Sequence, residues 1–180
     1  KINQYQLGIL LEDIKSFKKI LSLLEWKNEL INDLFNHLLK ITNEEEILIL
    51  SDILFEITTT NNKEILLKLA ELFFIQKRFQ NTIDVFEKLG GEKDVLTYKE
   101  GLFYKAKLKI EKRKNDLEEI IIWNGRLAMC DYDNRNLYAS EIHNTYYLND
   151  IENINYDNIY VFLYTYFASL FLDDLSDKSL

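Results

Sequence analysis

Residues 66–89 read LLKLAELFFIQKRFQNTIDVFEKL, and this stretch decides the fold class. Leu66, Leu69, Ala70 and Phe73 recur at three- and four-residue intervals, which puts them on one face of a helix. Phe79, Ile83, Phe86 and Leu89 do the same after a break at 76–78. Two amphipathic helices joined by so short a turn lie side by side and antiparallel, because only then do both apolar faces find cover. Gly90-Gly91 stops the second helix, since glycine takes the left-handed end conformation at little cost.

The same spacing continues outward from this hairpin. Towards the N-terminus it predicts helices over 4–25 and 27–41 and a third that carries Ile47, Leu50, Ile53, Leu54 and Ile57, with Ile14, Phe17, Ile31 and Phe35 among the residues of the first two. Asn43 with Glu46 fits a capping box, and the polar run TTTNN at 58–62 ends the third helix. Towards the C-terminus it predicts helices over 93–112, 115–130, 137–148 and 157–173, with DYDNRN at 131–136 as a loop and Asp157 or Asn158 as the last cap. The run IYVFLYTYF at 159–167 has high β propensity, but a lone strand would lack a partner, so it too is read as helix. Nine helices with short connections predict an all-α chain of antiparallel helix hairpins, one domain over 1–180.

Composition sets the outer limits. Of 180 residues, 47% are hydrophobic and 29% charged, with five Gly, no Pro, one Cys and two His. Collagen-like, low-complexity and disulfide-rich classes are excluded by these figures, and so is a disordered chain. No apolar run reaches the ~20 residues that span a bilayer. A net charge of −8 argues against general nucleic-acid binding, which needs a basic footprint. The charge is uneven: residues 63–114 carry 13 basic and 8 acidic side chains, residues 115–180 carry 3 and 12. Such asymmetry seats one segment on another or sets the sign of a binding surface. A lone Cys130 fits a reducing, cytoplasmic compartment. Because the chain starts at Lys1, it is read as part of a longer protein.

On Leu66, Leu69, Ala70, Phe73, Phe79, Ile83, Phe86 and Leu89, residues 66–89 resemble a tetratricopeptide repeat (TPR) in order and spacing. The family places a small residue where Ala70 stands, so that the two helices approach closely, and large residues around it. Departures are Lys77 where the family has Gly, Thr82 and Leu89 where it has Ala, and the absence of a closing Pro. They imply wider helix spacing at those points. The next hairpin, with Ala106, Leu108, Ile120, Trp123 and Leu127, keeps the general pattern, so 63–130 is the most TPR-like part. The resemblance implies a right-handed superhelical array whose inner helices line a groove for a protein or peptide.

Chemistry-bearing clusters are sparse. His37 and His143 lie far apart and in no metal-ligand spacing, and Glu141 and His143 fall on different sides of a helix. Asp131 and Asp133 would raise, not lower, the pKa of Cys130, which makes it a spectator thiol. DYDNRN departs from a calcium loop at its fifth, sixth and twelfth positions. Phosphate-binding and nucleophile-elbow motifs are absent. Hence no catalytic residue, metal site or cofactor is expected. Two surfaces remain. Lys105, Lys109 and Lys112 share a helix face, either as charge contacts for a partner or as a face paired with acidic side chains of the last third. Tyr160, Tyr164, Phe167 and Phe171 form one aromatic stripe and Phe162 and Tyr166 another. A helix apolar on more than one face is buried on more than one side: either it folds back into the core, or a partner, a second copy included, covers it.

The expected function is a protein- or peptide-binding scaffold or adaptor domain, with Lys105, Lys109 and Lys112 as charge contacts and Tyr160, Tyr164 and Phe167 as an apolar interface. Homodimerisation through the aromatic helix belongs to this reading. The alternatives are the peptide-sensing part of a bacterial transcription regulator, or a helical appendage of an enzyme such as a glycosyltransferase.

Overall fold

A computed structural model of the chain describes residues 27–90, 101–148 and 157–177. Helix is the only extended secondary structure among them: α1 (Lys27–Leu38), α2 (Glu44–Ile57), α3 (Lys63–Ile75), α4 (Phe79–Lys88), α5 (Leu102–Lys114), α6 (Leu117–Cys130), α7 (Arg135–Leu148) and α8 (Ile159–Asp177). Short 3-10 turns at Thr60–Asn62 and Tyr132–Asn134 precede α3 and α7. The helix expected over 4–25 and the first part, 93–100, of the one expected over 93–112 lie outside the described residues. The structure is therefore all-α, as the apolar spacing predicts. None of the described helices is long and apolar enough to cross a membrane.

The chain divides into two compact units, 1–69 and 70–180, with the division inside α3. In the first, α1 packs on α2, and Ile31, Leu38, Leu50, Ile53, Leu54 and Ile57 are buried. The start of α2 is fixed as predicted: the Asn43 side chain accepts a hydrogen bond from the Glu46 backbone N–H at 3.1 Å, satisfying one of the free donors of the first turn. Its end falls at Thr58, in extended backbone.

In the second unit the C-terminal half of α3 meets α4. The Phe74 and Phe79 rings lie 5.3 Å apart, and the Thr82 hydroxyl shares its proton between the Arg78 and Ala70 carbonyls at 3.3 and 3.4 Å. Small Ala70, fully buried, permits that approach. Lys77 takes φ +60°, the left-handed backbone that glycine would hold without strain. An aromatic chain then joins three helices: Phe86 of α4 meets Phe103 of α5 edge-on at 5.9 Å, and Tyr104 of α5 stacks on Trp123 of α6 at 5.8 Å.

Two expected boundaries move. A continuous helix over 93–112 is contradicted, because Gly101 sits at φ +73° and α5 begins after it. The connection at 131–136 is shorter than expected, since α7 already starts at Arg135. Between α5 and α6 the turn is only Asn115-Asp116. Asn115 takes the left-handed conformation, and the Asp116 side chain caps α6 by accepting from the Glu119 N–H.

α6, α7 and α8 form the second core of this unit. Ile121, Ala139, Ile142, Val161, Tyr164 and Ala168 make one buried cluster. Small residues decide this geometry. A Cβ placed on Gly125 of α6 would lie 2.2 Å from Cγ of Tyr164, so glycine is what lets α8 seat its tyrosine directly on the α6 backbone.

Candidate functional site

Two clefts lie in this second unit: the first contains all three lysines chosen from sequence, the second residues of the other aromatic stripe. The first lies between α5, α6 and α7. Its cavity of about 290 Å³ is lined by Phe74, Lys105, Leu108, Lys109, Lys112, Asn124, Leu127, Leu137, Tyr138 and Glu141. The three lysines do share one face of α5, but they are not equivalent. Lys105 pairs with Asp131 at 3.1 Å, and Lys112 pairs with Glu141 at 2.5 Å. Both acidic partners come from the last third of the chain, so part of the charge asymmetry is spent within the molecule. Lys109, one turn from each, is exposed and has no acidic partner among the described residues.

Asp131 organises one end of this cleft. Its carboxylate accepts from the Tyr138 hydroxyl at 2.8 Å and from the Asn134 side-chain amide at 3.0 Å, in addition to Lys105. Burial alone would raise its pKa, but these three donors together outweigh burial and hold it below the usual carboxylate range. The Tyr138 hydroxyl is pushed well above the ordinary phenol range, first by burial and then by its bond to that carboxylate. Cys130 next door is half-buried, and burial, then the Asp131 charge, raises its pKa. The direction expected from sequence holds, and it is the opposite of what an activated thiolate needs. His143 packs on the Tyr147 ring at 4.4 Å while Glu141 turns to Lys112. The two side chains are not a pair.

The wall of this cleft also holds a residue that sequence reasoning missed. Asn124 is fully buried. Its side-chain N–H donates to the Ile120 carbonyl at 2.9 Å, which fixes the amide orientation and leaves Oδ1 without a hydrogen-bond partner among the described residues. A signal was present: Asn124 falls four residues after Ile120 and three before Leu127, a polar residue in the middle of a buried stripe. Beside this cavity a shallower hollow, lined by Phe74, Ile75, Lys77, Phe79, Lys109, Lys112 and Arg113, shares Lys109 with it.

The second cleft runs between α7 and α8, about 240 Å³ lined by Tyr146, Tyr147, Val161, Phe162, Thr165, Tyr166 and Ser169. Of the aromatics chosen from sequence, Tyr164 is core, 7% exposed and seated on Gly125. Tyr160 is exposed beneath the Arg126 guanidinium at 5.4 Å, and Phe167 is half-buried, stacked on Phe171 at 5.6 Å. The three do not form one surface. The outward stripe is the other one: Phe162 and Tyr166 are 56% and 57% exposed with their rings parallel, 6.3 Å apart. Tyr147, also exposed, extends this patch from α7.

Compared with protein-family models, curated proteins and solved structures, the chain matches none.

Proposed function

We propose that the chain is a protein-binding scaffold or adaptor domain built of TPR-like helix hairpins, and that its partner docks on the outer face of α8. The observation that carries this reading is the exposed Phe162–Tyr166 pair with Tyr147 beside it. Large aromatic side chains left in water forgo burial worth roughly 1.5–3 kcal/mol each, and grouped aromatics of this kind mark interface centres. Further support for the hairpin repeat comes from burial at all eight positions of the resemblance, Leu66 to Leu89, and from the left-handed backbone at Lys77, where the family keeps glycine.

The test is the mass in solution, by light scattering coupled to chromatography, of the chain and of a Phe162→Asp, Tyr166→Asp variant. Because both side chains point outward, the variant stays folded. A self-associating wild type that becomes a folded monomer in the variant identifies the partner as a second copy. A monomeric wild type directs the search to another protein, with the same variant as the negative control in binding. A variant that loses its helical signal overturns the reading, because it would place these rings in the core.

A further inference from the structure

We infer that the cleft between α7 and α8 receives an arginine side chain from a basic segment of a different protein. This deepens the docking reading above and rests on it, since it names what the partner brings to the Phe162–Tyr166 face. Four aromatic rings, those of Tyr146 and Tyr147 on α7 and of Phe162 and Tyr166 on α8, line one cavity of about 240 Å³. The two hydroxyls beside them spend their protons inside α8: Thr165 donates to the Val161 carbonyl at 2.8 Å and Ser169 to the Thr165 carbonyl at 3.1 Å. What these hydroxyls still offer an occupant is lone pairs. Ring faces and lone pairs alike favour a cation.

Charge gives the same sign. From residue 136 to residue 177 the sequence has seven acidic residues and no lysine or arginine, and every residue that lines the cleft falls in that stretch. Such a surface draws in basic partners and turns away acidic ones. His143 lies against Tyr147 at 4.4 Å, but no cation lies over Phe162 or Tyr166 among the described residues. The rest of the molecule shows which cation suits such rings. All four arginines of the sequence lie over a ring of their own chain: Arg78 over Phe73, Arg113 over Phe79, Arg126 over Tyr160 and Arg135 over Tyr132, at 4.6, 5.0, 5.4 and 4.3 Å. A guanidinium is flat and weakly hydrated, so it stacks on a ring with less loss of hydration than an ammonium. Because every arginine of the chain is engaged in this way, a second copy has none to spare, and the occupant comes from another protein.

The experiment titrates the full chain with three probe peptides, by fluorescence anisotropy and by amide chemical-shift mapping. They are hexa-arginine, hexa-citrulline, whose side chain has nearly the same shape without the charge, and hexa-lysine, which has the charge without the plane. Hexa-arginine is expected to bind and to shift the amides of α7 and α8. Hexa-lysine is expected to bind about fivefold more weakly, and hexa-citrulline not measurably. A Phe162→Leu, Tyr166→Leu variant, altered at two exposed positions, should keep its helical signal, bind hexa-arginine about fivefold more weakly and bind hexa-lysine as the wild type does. The inference is overturned if hexa-arginine shifts no amides of α7 and α8, if hexa-lysine or hexa-citrulline binds there equally well, or if the variant binds hexa-arginine as the wild type does. A wild type that self-associates through this face also overturns it, yet leaves the docking reading standing. Loss of the helical signal in the variant overturns both, because it would place the rings in the core.

Discussion

α5 and α8 carry the two sets of residues that the sequence marks for function, and the structure treats them in opposite ways. On α5 the marked face is the right one: Lys105, Lys109 and Lys112 all line one cavity. Two of them are nevertheless engaged by Asp131 and Glu141, leaving Lys109 to face the cavity alone. On α8 the chosen stripe is split, with Tyr164 buried on Gly125 and Tyr160 exposed, while Phe162 and Tyr166 of the other stripe lie outside. Periodicity states which residues share a face. It does not state which face meets a neighbour. For α5, charge settled the matter, because a row of lysines stays near water whatever packs behind it. For α8, both stripes are aromatic, and the choice was made by a small residue 39 positions earlier.

The largest effect expected from breaking this contrast is at Gly125. Gly125→Ala gains helix propensity of about 1 kcal/mol but drives a methyl into the Tyr164 ring. Overpacking of this kind costs about 3 kcal/mol, so the net is a destabilised domain. Urea denaturation should show it, and Tyr164→Ala in the same chain should remove the overpacking and give a coupling energy of opposite sign.

Next in size is the knot that anchors the cleft on the α5 side. Tyr138→Phe removes a hydrogen bond to a charged acceptor and should cost about 1.5–3 kcal/mol. It should also change the acid limb of the stability curve. Asp131 is held below its ordinary value of 3.8 in the folded chain. Its contribution is therefore present above that pH and lost as pH falls below it. With the Tyr138 donor gone, the folded carboxyl moves back towards 3.8, and less stability is lost on acidification. Denaturant midpoints of both proteins between pH 5 and pH 2.5 would show this. A variant whose acid limb runs parallel to that of the wild type would mean that Tyr138 does not stabilise the carboxylate.

Smallest is the Lys112–Glu141 pair. Both side chains are about 40% exposed, and exposed pairs contribute roughly 0–1 kcal/mol. Glu141→Gln should leave thermal stability nearly unchanged. It would sharpen the α5 side of the comparison by showing that this exposed pair, unlike the Asp131 cluster, contributes little to stability.

Much of the fold was legible because helix faces and caps are local. Asn43, Asn158 and the stop at Gly90 all act where the sequence places them, and the β-prone run at 159–167 is helix because its neighbours are helices. The start of α5 was not legible, since a lone glycine is tolerated inside a helix and only its φ of +73° reveals a break. The clefts were half legible. Lysine spacing located one wall of the first, but its ion pairs span 26 and 29 residues of chain, and no local pattern encodes them. Asn124 was visible as a polar interruption in an apolar stripe. That it is fully buried behind a cleft follows only from the packing of α5 and α7 around α6.

The central claim is that α8 turns Tyr164 inward and Phe162 and Tyr166 outward. Equilibrium urea denaturation of Tyr164→Ala and Tyr166→Ala, side by side, tests it most directly. The structure predicts a loss of about 3–5 kcal/mol for the first and a change within about 0.5 kcal/mol for the second. Equal losses, or the larger loss at Tyr166, would contradict it and remove the aromatic face from the surface.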